Sequence, residues 1–184
     1  ERRDLPPRVV IVGGGATGVE FAYLYRKYGA EVTIVELLPH LVPLEDEEIS
    51  TFLERAFEKQ GIKTMTGSRV DGVQIDGNSA RVTVSGEGGE REIECDKVLV
   101  AIGMQGNVDG IGLEDVGVAT ERGFIVVDDE MRTNIPGVFA IGDVTGKMLL
   151  AHVASAQGVA AAETISGRTP PKLDYELMPR ATYC

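Results

Sequence analysis

The stretch "RVVIVGGGATGVEFAYLYRKYGAEVTIVE", residues 8–36, constrains the fold more than any other part of the chain. An apolar run enters three glycines, a helical pattern follows and closes on Gly29, and a second apolar run ends in an acid, Glu36. A glycine just past the last helical residue is a usual stop. Strand, helix and strand of this length form a βαβ unit. Inside it, Gly13-Gly14-Gly15-Ala16-Thr17-Gly18 satisfies G-x-G-x-x-G. Alone the pattern is weak; its place between strand and helix, in a unit that ends in an acid, gives it meaning. Gly13 permits the tight turn, Gly15 lets the backbone approach a pyrophosphate, and Gly18 lets helix and strand pack closely. The unpaired N–H groups at the helix start face the phosphates. Glu36 can accept hydrogen bonds from the adenosine ribose and repels a 2′-phosphate. No arginine follows it in "LLPHLVP". The unit predicts an NAD site in preference to NADP; the alternative is a structural turn with an exposed glutamate.

The rest of the chain continues the α/β pattern. "EDEEISTFLERAFEKQG" reads as an amphipathic helix with acids at its start, where the dipole favours them. Its apolar positions at helical spacing are Ile49, Phe52, Leu53, Ala56 and Phe57. "IKTMTG" is a third strand. Then "RVDGVQI", "ARVTVS" and "REIEC" alternate apolar and polar residues around "DGNS" and "GEGG", which are hairpin signals. They predict a three-stranded antiparallel meander where a crossover helix would normally lie. "KVLVAIG" resumes the buried sheet at 97–103. A domain boundary is expected near residue 105, so that 1–105 form a Rossmann-like dinucleotide domain. Beyond it, "GFIVVDD" and "GVFAIGD" read as two more strands, and a helix spans about 149–165. The expected segments are 106–173, a central region, and 174–184, the start of something further.

Composition narrows the class. Hydrophobic residues make up 43% and charged residues 26% of the 184 residues, which is ordinary for a globular chain. No apolar run approaches the roughly 18 residues of a membrane span. A net charge of -11 argues against a nucleic-acid backbone as partner. The two cysteines, Cys95 and Cys184, match no metal or redox spacing, which suggests a reducing, cytoplasmic setting. No metal site is expected. His40 reads as a loop or packing residue.

"IVGGGATGVEFA", "VTIVE", "VLVAIG", "IPGVFAIGDV" and "LLAHVASAQG" occur in one order and spacing across nearly the whole chain. Together they resemble the flavoprotein disulfide reductases, and "GVFAIGDVTGKMLLAH" and "PRATYC" point to the dihydrolipoamide-oxidising branch. The resemblance implies an FAD domain that comes first, with its own glycine loop and a redox Cys-x4-Cys. An NAD domain is inserted next, and the chain then returns to complete the FAD site. It implies that Asp143 holds the flavin's ribityl chain, with Leu149, Leu150, Ala151 and His152 along the flavin. Glu20, expected in the first turn of its helix, would lie near the nicotinamide, Val70 against the adenine and Gly103 beside the cofactor backbone. From the residues alone, Asp143 is equally a turn or N-cap aspartate, and Val70 equally plain sheet core.

Two departures qualify the match. The family often follows "AIG" with Arg-x-Pro, where this chain has Met104-Gln105-Gly106. The sequence also holds no second G-x-G-x-x-G and no Cys-x4-Cys, and no His–Glu pair is assigned to the family's acid–base step. No catalytic residue is therefore named. The expectation is the middle of a longer enzyme, binding NAD(H) but inactive by itself. The implied reaction oxidises protein-bound dihydrolipoamide with NAD, through FAD. The implied partners are lipoyl domains of a 2-oxo acid dehydrogenase complex, with a homodimer as the intact state. Mercuric reductase, soluble transhydrogenase and NADH-dependent disulfide reductases share these motifs. A stand-alone NAD-binding module without catalysis is the alternative of another class.

Overall fold

A computed structural model describes residues 5–184, which divide into two units: 5–103 with Ala181–Cys184, and Met104–Arg180.

In the first unit, strands β1 (Arg8–Val12), β2 (Glu31–Val35), β3 (Ile62–Met65) and a later strand at Lys97–Val100 form one parallel sheet. Between β3 and that last strand run β4 (Arg69–Asp76), β5 (Ser79–Gly86) and β6 (Gly89–Cys95), an antiparallel meander, so the strand at Lys97–Val100 is β7. The sheet order is β3-β2-β1-β7. Helices α1 (Ala16–Lys27) and α2 (Glu47–Lys59) make the other crossovers. This is a Rossmann-like α/β fold in which the meander takes the place of one crossover helix.

The continuous apolar run of β1 follows from burial on both faces. Val9 and Ile11 join a core with Val19 and Ala22 of α1 and Phe57 of α2. Val10, on the opposite face, joins Ala80, Val82 and Val84 of β5. The alternation along β5 exists because only one of its faces meets the parallel sheet.

The side chain of Asp46 caps α2 by accepting from Glu48 N–H at 2.8 Å. The face expected for this helix is corrected: Ser50 and Phe57 are its buried residues, while Ile49 and Phe52 are 58% and 74% exposed. The inward stripe runs Ser50, Leu53, Phe57, and Ile49 and Phe52 lie about 100° to one side of it. Ser50 holds its inward position by donating to the Val42 carbonyl at 3.5 Å.

In the second unit, β8 (Thr120–Glu121) and β9 (Phe124–Ile125) form a short antiparallel pair, and α3 spans Ala151–Ile165. The two longer strands expected here are corrected. Past Ile125 the first has no ladder, and 137–143 makes one isolated bridge, Phe139 to Arg132, before a 3-10 turn at Gly142–Thr145. A strand needs a neighbour to exchange backbone hydrogen bonds with. Here the neighbour is only 131–133, where Thr133 N donates to the Val138 carbonyl and Ala140 N to the Met131 carbonyl, too short a pairing to extend into a ladder; Val138 and Ile141 remain 38% and 43% exposed. Two small apolar clusters hold this unit. One gathers Val108, Val118, Ile125 and Ala140; the other seats Met131 against Ala160 and Ala161 of α3. No helix among the described residues is long and apolar enough to cross a membrane.

Candidate functional site

The glycine loop leaves β1 and enters α1 under tight steric control. Gly13 has φ +105°, and a Cβ there would collide with the Ala101 carbonyl just beyond β7. A Cβ on Gly18 would overlap the Gly13 carbonyl oxygen. Gly14 is a residue that the fingerprint leaves open, yet a Cβ there would press on Leu41 and on the Glu36 side chain. Gly15 differs from all three. It has an ordinary φ of -71°, it caps α1 without a side-chain bond, and a Cβ would meet nothing within 4 Å. The space beside Gly15 is therefore open at the N-terminus of a helix, where N–H groups lack partners within the helix. A pyrophosphate fits that geometry and that charge preference.

Glu36 follows β2 and is only 8% exposed. Its carboxylate accepts from the Gly14 N–H and, at 2.8 Å, from the Leu38 N–H. The acid and the glycine loop are thus one constellation. Val42 joins it by donating its N–H to the Gly14 carbonyl at 2.7 Å. Val42 does so at φ +43°, a conformation that a β-branched residue rarely takes. Leu41 and Val42 carried no sequence signal for this role; the run of three glycines was the only hint for Gly14.

The other residues expected at the NAD site surround this constellation at varying remove. Ser68 N donates to the Glu36 carbonyl at 2.9 Å, which places the start of β4 beside the acid. Val70 stands there half-buried against the meander core, opposite Val84. Gly103 follows Ala101 by two residues, is exposed, and has φ +126°. Glu20 is corrected in position: α1 begins at Ala16 and has no acid in its first turn. Its Oε1 accepts from Tyr183 N at 2.8 Å.

His40 and Glu45 stand at His-x4-Glu spacing. The His40 ring instead faces Glu47 at 3.4 Å and Glu54 at 3.9 Å, as a loop residue. Both cysteines are free. Burial pushes the Cys95 thiol up; Cys184 is exposed, and partial desolvation followed by the Glu20 carboxylate pushes its thiol up. A raised thiol pKa suppresses the nucleophilic thiolate. Among the described residues no group of His, Cys, Asp or Glu could hold a metal ion.

In the second unit, Asp143 lies on the 3-10 turn, exposed. With Val144, Leu149, Met104, Gln105, Gly106 and Asn107 it lines a cavity of about 460 Å³. Asp143 does not cap α3; Leu150 occupies that position. Ala151 and His152 open α3 on an exposed face, and His152 Nε2 lies 3.0 Å from the Pro179 carbonyl. The structure brings Asp143 and Leu149 to one cavity; Leu150, Ala151 and His152 follow directly in the chain. Asp143, Gln105 and Asn107 give this cavity its polar groups, and Met104, Val144 and Leu149 give it an apolar side.

Comparison with known proteins agrees with these features. A family model described as pyridine nucleotide-disulphide oxidoreductase matches residues 1–158. A dihydrolipoyl dehydrogenase of Mycobacterium leprae is 52% identical over 184 residues, covering 99% of this chain and 39% of that protein. Another, from Chlorobaculum tepidum, is 47% identical over 183 residues, with 98% and 39% covered. Among solved structures, LpdA from Mycobacterium tuberculosis superposes with a TM-score of 0.89 at 33% identity, covering 99% of this chain and 39% of that one. The HOCl-induced flavoprotein disulfide reductase RclA from Escherichia coli gives 0.83 at 28% identity, covering 94% and 39%. The chain spans about two fifths of the length of these relatives.

Proposed function

Since this chain belongs to the pyridine nucleotide-disulphide oxidoreductase family, we propose that it forms the NAD-binding part and one side of the flavin site of a dihydrolipoamide dehydrogenase. The reaction would be dihydrolipoamide plus NAD+ to lipoamide, NADH and a proton. FAD, when bound, would supply a two-electron acceptor between the dithiol and NAD+. The chain's own residues bind and orient. Gly13 and Gly18 hold the loop in the shape that leaves Gly15 open to the pyrophosphate. Glu36 receives the ribose hydroxyls, Val70 backs the adenine, Gly103 lies beside the cofactor backbone, and Glu20 lies toward the nicotinamide. Asp143 takes a ribityl hydroxyl, with Leu149, Leu150, Ala151 and His152 along the flavin. The working partners would be lipoyl domains of a 2-oxo acid dehydrogenase complex, met by a homodimer in a reducing cytoplasm.

The observation that carries the NAD assignment is the buried Glu36 carboxylate bonded to Gly14 N–H. A 2′-phosphate there would face a carboxylate that has little water to screen it. Calorimetric titration should show NADH binding at least about tenfold tighter than NADPH, a difference of about 1.4 kcal/mol. Glu36→Ser should bring the two affinities together. Equal affinities in the unaltered protein would remove the assignment. The likeness to RclA, a flavoprotein disulfide reductase, favours a second reading, in which the same scaffold serves another disulfide substrate. Turnover of the intact protein with dihydrolipoamide separates the two, since only the first reading expects NAD+-dependent oxidation of that dithiol.

A further inference from the structure

Gln157 is a polar residue with no exposed surface, set in the alanine-rich helix α3. A buried amide needs partners at both ends. Its Oε1 accepts from Gly142 N–H at 2.6 Å, and its Nε2 donates to the Tyr175 hydroxyl at 3.0 Å. Chemistry fixes which way the amide points. Gly142 N–H can only donate, so it must face the oxygen, and the nitrogen is left for the tyrosine oxygen.

The turn that carries Asp143 starts without a cap of its own. Its N-cap residue is Ile141, which has no polar side chain, and the first N–H groups of a helical turn find no partner inside it. Gln157 supplies that partner from another element. Thr145 Oγ1 donates to the Gly142 carbonyl at 2.8 Å, so the peptide groups on both sides of Gly142 are held. Gly142 itself has φ +78°, which leaves its conformation dependent on these bonds. An acceptor without charge suits the place, because a carboxylate at 157 would be a buried charge close to that of Asp143.

We infer that Gln157 is the positioning residue of the Asp143 turn and that Tyr175 locks its amide. This rests on the reading that Asp143 holds a flavin hydroxyl. Gln157 sets the backbone from which the Asp143 carboxylate enters the cavity, and the Tyr175 hydroxyl keeps the amide from rotating away. The Lys147 ammonium lies 5.8 Å over the Tyr175 ring, a second tie between the same two segments.

The test uses the intact protein, with amide hydrogen exchange at Gly142 and the FAD dissociation constant as separate readouts. Gln157→Leu should expose the Gly142 amide to exchange and raise the FAD dissociation constant roughly tenfold, a loss of the size of one buried hydrogen bond. NADH affinity should not change. Gln157→Glu, held neutral by burial, keeps an acceptor for Gly142 N–H and a donor for the Tyr175 hydroxyl, and should restore most of both. Tyr175→Phe should give a smaller loss, and joining it to Gln157→Leu should add nothing. Wild-type protection and FAD affinity in Gln157→Leu would overturn the inference. If Gln157→Leu does not fold, the inference falls when Gln157→Glu leaves Gly142 unprotected. If the unaltered protein takes no FAD, the flavin reading fails, and exchange at Gly142 still decides the role of Gln157.

Discussion

Gly15 and Gly18 belong to one motif but are glycines for different reasons, and a methyl group separates them. At Gly18 the Cβ would overlap the Gly13 carbonyl, a backbone atom that cannot rotate aside. Gly18→Ala should therefore destabilise the first unit by about 3 kcal/mol or more, as overpacking against backbone does. At Gly15 nothing lies within 4 Å and φ is ordinary. Gly15→Ala should leave stability within about 0.5 kcal/mol of the parent while NADH binding weakens at least about tenfold, because the methyl group occupies the approach to the helix N-terminus. Urea midpoints and NADH titrations on both variants check this. A Gly15→Ala protein that binds NADH normally would show that the open space is not where the pyrophosphate lies. The motif made Gly13, Gly15, Gly18 and Glu36 legible in sequence, since each follows from local backbone demands. Val42 was not legible. Its φ of +43° arises from a bond to Gly14 across the loop, and a valine advertises nothing of the kind. Gln157 was hidden likewise: its two partners stand 15 and 18 residues away on other segments.

Pairing between elements depends on contacts such as the one between Arg8 and Asp96. Arg8 N donates to the Asp96 carboxylate at 2.9 Å, the guanidinium grips both oxygens, and Asp96 N returns a bond to the Arg8 carbonyl. This clamp ties the start of β1 to the residue just before β7, next to the registered pair Val9 and Lys97. The Arg8 side chain holds the Asp96 carboxyl below the usual carboxylate range, against a smaller opposing push from burial. A carboxyl whose pKa is lower folded than unfolded stabilises fully above the unfolded value of about 3.9, and that contribution is lost as pH falls through the folded value. Asp96→Asn should lower the urea midpoint of the first unit at neutral pH, modestly, because both side chains meet solvent. The gap from the parent should narrow below about pH 4. A constant gap across pH would show that the charge is irrelevant and only the hydrogen bonds count. At this scale the sheet of the first unit was readable because period and burial agree: β1 is apolar throughout, and β5 alternates. Residues 137–141 misled because an apolar run does not show how far a pairing extends, and 138–140 meets only 131–133. Ile49 and Phe52 misled for a related reason. Helical spacing shows that a stripe exists, but the inward direction of α2 is set by Phe57 and Leu53 packing into the core, with Ser50 on the same line.

For the whole molecule the decisive contrast is between a glycine loop joined to a buried acid and a cavity with no such loop. The first unit holds the glycine loop, the open helix start and the Glu36 carboxylate together. The second unit offers Asp143 and apolar walls, but its helix α3 starts at Leu150 with no glycine loop before it. The relatives are far longer, since this chain covers 39% of the Mycobacterium leprae protein. Expressed as these 184 residues, the chain should bind NADH and keep no flavin through desalting. The reason lies in how affinity is built. A dinucleotide bound by several groups meets one ordering cost, so removing the phosphate contacts removes most of the net affinity. One carboxylate, exposed on a turn, cannot replace them. The same chain should give no NAD+-dependent oxidation of dihydrolipoamide, because neither thiol has a partner and both are pushed away from the thiolate. Replacing Cys95 and Cys184 with serine tests the thiols separately from the flavin. NADH affinity should stay as it was, with at most a stability loss from a hydroxyl at the buried position of Cys95. Stoichiometric FAD in the desalted chain, read from its visible spectrum, would mean that the Asp143 cavity binds flavin without a phosphate loop. The division of labour between the two units would then have to be redrawn.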